Sequence, residues 1–553
     1  MKICMVSSES VPFSKSGGLA DVVGALSKAL ASLGEEVLVV LPHYGFMTDE
    51  LVATDIEHTV SLLGSEERVT YAKLSEPGVE YYFVRHPFFT ESKGIYGPTS
   101  SSSYDNNHLR YTLQSKASLK LLKILGWKPD IIHAHDWPAG FLPYLVKQDS
   151  SRFFKNTKTV FSIHNLAYQG EVSRLDLIET DIEVDPLFFV GSGSEKRANM
   201  LKTGLEFADT ISTVSPTYAK EIQTPEYGCG LEELLQRRKD DLVGIINGID
   251  IEEWNPENDR LLDYSFSIDD LSNKARLKRQ IQEEFNLEVN ADIPLFAMIS
   301  RLVSQKGFVE LLEGEVSALE ELLTTEKIQV IVLGTGDWEI EKQFTELGSR
   351  FKNLSVNILF SNRAAHLLEA GSDFFLMPSR YEPCGLNQFY SLRYGTLPIA
   401  RRTGGLADSI TDLDENPQRG TGILFDSMSG RGILEAVRRA LAWWKKGRSV
   451  IEPIQKRAMA YDSSWTRSAR SYQELYRKTQ GGLPYESSKA KCHCYRSGRR
   501  KGDSSLSLDN GSGKARSSVR RKVSPRGYSH LQLYQQRDQE NLYSYPVQLG
   551  VAP

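Results

Sequence analysis

The residues best suited to chemistry form a small set spread along the chain. Lys15-Ser16-Gly17-Gly18 sets a full positive charge beside two adjacent glycines. Paired glycines let backbone N–H groups approach an anion with no Cβ in the way, and a helix starting there adds positive potential. His135-Asp136 and His164-Asn165 bring imidazole, carboxylate and amide groups, and Asn247 ends another apolar run. Later come Arg301 with Lys306, Glu382 with Cys384-Gly385-Leu386, and Arg402-Thr403-Gly404-Gly405. Cations and open backbone amides suit a phosphate, while acids and histidines suit the hydroxyls of a polar substrate. The glycine spacing matches neither G-x-G-x-x-G nor a Walker A loop, which demotes nicotinamide cofactors and ATP hydrolysis. A tight turn with a surface lysine would produce the first motif equally well, and a lone buried histidine is most often packing. The case for a site therefore rests on where these residues fall.

They fall at strand ends. Residues 2–6 form a short apolar run, and Leu19, Val22, Val23, Leu26, Leu30 and Leu33 then recur at helical spacing until Gly34 closes the helix. Residues 37–41 read as the next strand, so the Lys15 loop lies at the carboxyl edge of a βαβ unit, where open α/β sheets bind ligands. Further strands are expected at 80–84, 130–134, 159–163 and 209–214, and both histidine pairs follow such ends. Asn247-Gly248 could turn a hairpin, but no alternating partner follows, so this stretch reads as a crossing between domains. A second series at 294–300, 329–333, 373–377 and 397–400 ends in Arg301, Gly334, the Glu382 stretch and Arg401. Residues 93–107, rich in Ser, Gly and Asn, read as a mobile loop.

The fold class is therefore α/β: two doubly wound, Rossmann-like domains facing each other across a cleft. The expected divisions are 1–250, holding the Lys-x-Gly-Gly loop; 251–464, holding the cations; a helix over 465–479 packing back on the first domain; and 480–553. That last segment carries 13 Lys and Arg against 5 Asp and Glu with little apolar content, so it should lack fixed structure.

At 553 residues the chain has length for two or three domains, and a net charge of −5 gives no reason to expect a nucleic-acid partner. Five scattered cysteines suggest a reducing compartment, and Cys492-His493-Cys494 has no second ligand pair to complete a metal site. No apolar run is long enough to span a membrane, and a core strand at residue 2 leaves no room for a signal or transit peptide. The expectation is a cytoplasmic protein.

Seven stretches, taken in order, go further. Lys15-Ser-Gly-Gly-Leu-Ala-Asp-Val22, His133-Ala-His-Asp-Trp137, Ile163-His-Asn165, Asn247-Gly-Ile-Asp250, Ser300-Arg-Leu-Val-Ser-Gln-Lys-Gly307, Pro378-Ser-Arg-Tyr-Glu-Pro-Cys-Gly-Leu386 and Arg402-Thr-Gly-Gly-Leu-Ala-Asp408 closely resemble bacterial glycogen synthases and plant starch synthases. The resemblance covers roughly residues 1–478. It implies the GT-B fold and transfer of glucose from ADP-glucose to the non-reducing 4-OH of an α-1,4-glucan, with retention and with no cofactor or metal. That suits a chain with no Asp-x-Asp motif at a strand end, since the leaving diphosphate must then be met by Lys, Arg and helix N-termini.

By matched motif positions, the resemblance implies that Arg301 and Lys306 bind the diphosphate and that Lys15 with Gly17 and Gly18 approaches from the other domain. Glu382 would face the sugar, and Asp136 and His164 would line the glucose and acceptor side. Cys384, Gly385 and Leu386 would lie under the diphosphate, with Thr403, Gly404 and Gly405 beside it. Asp21 and Asn247 would touch sugar or nucleotide. One match to the starch synthase pattern and one departure from it bear on specificity. Tyr390 stands eight positions after Glu382, where many related transferases carry a ribose-binding Glu, as starch synthases do not. Phe360 stands where the family often has a Tyr that stacks on adenine. Other readings are a sugar-nucleotide transferase with a small acceptor and a catalytically silent glucan-binding scaffold.

Overall fold

The computed structural model describes residues 1–99, 102–191 and 196–481. The basic segment and Cys492-His493-Cys494 thus lie outside the described residues, apart from the first two positions of the 480–553 span.

The Lys2–Val6 strand is apolar and buried along nearly its whole length, as a strand covered on both faces must be. It lies inside a nine-stranded sheet. To one side stand Ile131–His135, Lys158–Ile163, Thr210–Thr213 and Leu242–Gly244; to the other stand Glu36–Pro42 and Val79–Arg85, all parallel. Val52–Leu62 and Ser65–Glu76 extend this edge as an antiparallel hairpin. The second sheet is parallel throughout, in the order Leu354–Asn357, Gln329–Leu333, Leu295–Ile299, Phe374–Met377, Leu397–Arg401, Ile423–Phe425. Numbered along the chain this is 3-2-1-4-5-6, the doubly wound order, and ligands bind such sheets where that order reverses. The reversal falls between Leu295–Ile299 and Phe374–Met377.

The chain passes between the sheets twice. The Ile249 amide donates to Ser463 O at 2.8 Å, so the two crossings run side by side. Trp254 is sandwiched between His366 and Tyr390, with ring centroids 3.7 Å away on each side. After the second crossing the Trp465–Thr479 helix packs on the Gly18–Ser32 helix, burying Trp465, Tyr472 and Tyr476 among Val22, Val23 and Leu26. Each such aromatic stabilises the contact by about 2 kcal/mol through area burial. Tyr476 also reaches His133 Nδ1 at 2.9 Å, linking this helix to the strand that ends at the first histidine pair.

Described residues at both ends of the stretch expected to be mobile make side-chain hydrogen bonds. The Tyr104 hydroxyl accepts from the amide of Lys93, Asn107 Nδ2 donates to Tyr96 O, and the Tyr96 hydroxyl meets Ser8 and Glu9.

Candidate active site

The second domain's share of the site grows from the reversal point. Gly307 adopts a left-handed conformation, φ 79°, and a Cβ there would stand 1.9 Å from Pro378 O. Only glycine permits that approach, and it presses the Lys306 turn against the loop leaving the neighbouring strand. As a result Lys306 Nζ lies 2.6 Å from Glu382 Oε2, which also accepts from Ser379 Oγ at 3.1 Å. Asn387 Nδ2 donates to Ile299 O at 2.6 Å and ties the next helix to the strand end. Arg301, Lys306, Ser379, Glu382, Gly385 and Leu386 line a cavity of about 210 Å³. Arg301 Nη1 is buried and has no hydrogen-bond partner among the described residues. An unmet guanidinium donor is costly in a folded protein, and an anion would remove that cost.

The first domain contributes acids and imidazoles. Asp136 sits at the end of Ile131–His135 with φ 54°, a conformation that costs a non-glycine residue on the order of 1 kcal/mol and is characteristic of functional turns. Its Oδ1 accepts from the His164 amide at 2.7 Å. Burial raises the Asp136 carboxyl to about 8, against the pull of the His164 and Asn165 amides. Burial lowers His133 and His164 to about 3 and takes His135 well below its ordinary value, so all three rings are neutral. His135 Nδ1 and His164 Nε2 are 3.1 Å apart. Lys15, its side chain 53 % exposed, pairs with Asp21 Oδ1 at 2.7 Å.

The two halves meet through the stretch after Glu382. Cys384 and Phe389 belong to the first domain's core, with Leu386 and Tyr390 packed against it. Asn247 is buried at this contact, its backbone amide directed at the Cys384 thiol and its Oδ1 without a partner. Burial pushes the Cys384 thiol far up, so it is a packed neighbour of the cavity and no nucleophile.

The glycine motifs depart from expectation. Gly17 was expected to offer its amide to a phosphate, but that N–H donates to Glu9 Oε2 at 3.2 Å. Thr403 and Gly404 are likewise taken, Thr403 Oγ1 and the Gly404 amide both reaching Glu221 Oε1. A Cβ on Gly404 would meet Glu382 O at 1.9 Å, and one on Gly405 would meet Cys384 O at 2.1 Å. These glycines prop the Glu382 loop from behind and do not line the cavity. Around Gly17 and Gly18, by contrast, a Cβ would find nothing within 4 Å among the described residues. Sequence reasoning missed Glu9, Ser379, Asn387 and Glu221, whose roles depend on partners distant in the chain.

Two doubly wound domains, with cations at the reversal point of one and acids and neutral imidazoles at the edge of the other, define a GT-B glycosyltransferase. Known families refine this. The starch synthase catalytic domain family matches residues 2–237, and glycosyl transferases group 1 matches residues 279–457. The glycogen synthase of Treponema denticola is 40% identical over 481 residues, covering 86% of this chain and 98% of its own length. That of Anaeromyxobacter sp. is 44% identical over 481 residues, covering 86% and 99%. The catalytic domain of starch synthase IV from Arabidopsis thaliana, solved bound to ADP and acarbose, matches with a TM-score of 0.77 at 32% identity, covering 87% of this chain and 99% of that one. Sucrose-phosphate synthase from Thermosynechococcus elongatus, at 17% identity and a TM-score of 0.52, shares the fold. The chain belongs to the glycogen and starch synthase family and is a hexosyltransferase of glycogen or starch synthesis. Among the described residues, no helix is long and apolar enough to cross a membrane.

Proposed function

We propose that the chain transfers glucose from ADP-glucose to the non-reducing 4-OH of an α-1,4-glucan, glycogen or starch, with retention at the anomeric carbon. The observation that carries this is the unpartnered Arg301 Nη1 in the cavity that also holds Lys306. Two fixed cations there suit a diphosphate, and they bind it more strongly as it separates and gains charge, which is how binding becomes catalysis. The starch synthase IV match, itself bound to ADP, supports an adenine nucleotide as the ligand. Phe360, 91 % exposed just beyond the Leu354–Asn357 strand, offers a ring face to adenine.

In the reaction, the bond from C1 to the phosphate oxygen breaks and the bond from C1 to the acceptor oxygen forms on the same face. The acceptor's proton leaves with the departing phosphate. Glu382, its Oε2 held by Lys306 and Ser379, acts as a fixed negative charge near the sugar. Asp136 and His164 hold sugar hydroxyls, and Lys15 reaches the donor from the facing domain. Asp21 stays its ion partner, and Gly18 keeps the approach clear.

A coupled assay of ADP release, with glycogen as acceptor and ADP-glucose or UDP-glucose as donor, tests the reading. It predicts turnover with glycogen and preference for ADP-glucose. Turnover only with small acceptors, or with no nucleotide sugar at all, refutes it.

A further inference from the structure

We infer that Glu9 is a positioning residue, holding the Lys15 loop in its working shape by filling the loop's own amide nest with a carboxylate. The inference rests on the functional reading above, which gives Lys15 its task.

Glu9 follows the Lys2–Val6 strand and is 2 % exposed. Four donors converge on it: the amides of Ser16 and Gly17, the Ser16 hydroxyl at 2.8 Å and the Tyr96 hydroxyl at 2.8 Å. Burial lifts the Glu9 carboxyl above its usual range, and these four hydrogen bonds pull it back toward the ionised form, which meets all of them as an acceptor. The backbone inside the Lys15–Gly18 turn is thereby fixed by the chain's own carboxylate. The Ser16 and Gly17 amides are therefore already satisfied. What the loop offers the donor is the Lys15 ammonium and the open space over Gly18.

A second copy of the motif shows the same arrangement independently. Residues 15–21 and 402–408 both read basic, Ser or Thr, Gly, Gly, Leu, Ala, Asp. In the second copy Glu221 takes the two equivalent donors, Thr403 Oγ1 at 2.9 Å and the Gly404 amide at 3.0 Å. Glu221 comes from the Pro216–Glu221 helix and Glu9 from a strand end, so one nest recruits a glutamate from two unrelated places. Glu9 also reaches beyond the loop. Tyr96, which donates to it, meets Ser8 Oγ at 2.8 Å, and its ring centroid lies 5.7 Å from that of Trp137, the neighbour of Asp136. Glu9 thus links the Lys15 loop, through Tyr96, to Trp137 beside the Asp136 turn.

The test is a double-mutant cycle between Glu9→Gln and Lys15→Ala in the full chain, read by ADP release and by calorimetric ADP binding. Glu9→Gln sets an amide NH₂ against two backbone N–H groups that cannot turn away. The expected result is a fall in kcat of about tenfold to a hundredfold, the scale of an ångström's misplacement. ADP binding should hold, because Arg301 and Lys306 lie on the other domain. Lys15→Ala should add little on top of Glu9→Gln, since the lysine is already misplaced. Normal kcat in Glu9→Gln, or losses that multiply, overturns the inference while leaving the functional reading intact. A wild-type chain that neither binds ADP nor releases it overturns both. Should Glu9→Gln not fold, Glu9→Asp, which withdraws the carboxylate by one methylene, runs the same cycle with the same outcomes.

Discussion

Lys306 Nζ lies 2.6 Å from Glu382 Oε2, although 76 residues separate them in the chain. Both side chains are largely buried, 20 % and 9 % exposed. Each neutralises the other, which keeps two charges at the same strand edge without an unpaired ion. A bound diphosphate draws on the lysine, and the carboxylate then acts on the sugar, where positive charge develops.

Lys306→Ala and Glu382→Ala are therefore each expected to lower kcat by at least about a hundredfold, the scale of one lost transition-state contact. Because the two groups act as a pair, the double variant should cost less than the product of the single losses. Steady-state kinetics on folded variants checks this. Near-normal turnover in either single variant contradicts its role.

Gly18→Ala separates room for a ligand from room for the fold. No atom lies within 4 Å of the added Cβ, and Gly18 opens a helix, where alanine is favoured. Thermal stability should hold or rise while kcat/KM for ADP-glucose falls. Gly404→Ala should instead destabilise, since its Cβ would overlap Glu382 O. Equal activity in wild type and Gly18→Ala would mean that no substrate passes over that backbone.

Asp136 carries a pH signature. Its carboxyl, ordinarily at 3.8, stands at about 8 when folded, so between those values the folded chain holds a proton that the unfolded chain has released. Stability from this group is present at low pH and is lost as pH rises toward 8. Asp136→Asn removes the dependence. The Tm of the variant minus that of wild type should therefore increase from pH 5 to pH 8 and level off above. A difference that stays flat across that range would show an ordinary, ionised Asp136.

The second glycine motif is a clasp between the domains. Asp408 accepts from Ser215 Oγ at 2.7 Å, the Thr217 amide at 2.9 Å and Thr217 Oγ1 at 2.7 Å, while Glu221 caps the facing helix in return. Asp408→Ala should cost about 1–3 kcal/mol in urea unfolding, because it strands buried donors. ADP affinity should be unaffected. Unchanged stability would mean the contact is loose in solution.

What could be read from the sequence was local. The inner parallel strands announce themselves as short apolar runs whose closing polar residues fall at the ligand edge, so Arg301, Lys306, Asp136 and His164 could be placed there; the edge strands Leu242–Gly244, Leu354–Asn357 and Ile423–Phe425, only three or four residues long, could not. The hairpin of Val52–Leu62 and Ser65–Glu76 could not. Its turn uses Leu63 and Gly64, both at positive φ, and a leucine there hides the Asn-Gly or Asp-Gly signal. Nor could the two glycine motifs be told apart. They are spelled almost alike, and the difference lies in what stands behind them: open space at Gly18, the backbone of the Glu382 loop at Gly404. Glu9 and Glu221 left no trace, since a buried acid is recognisable only from donors folded around it.

A crystal structure with ADP bound measures the central claim most directly. The expected result is the diphosphate in the cavity at the end of Leu295–Ile299, with Arg301 Nη1 and Lys306 Nζ both at hydrogen-bonding distance from its oxygens. ADP bound elsewhere, with Arg301 Nη1 still unpartnered and Lys306 still held only by Glu382, would contradict it.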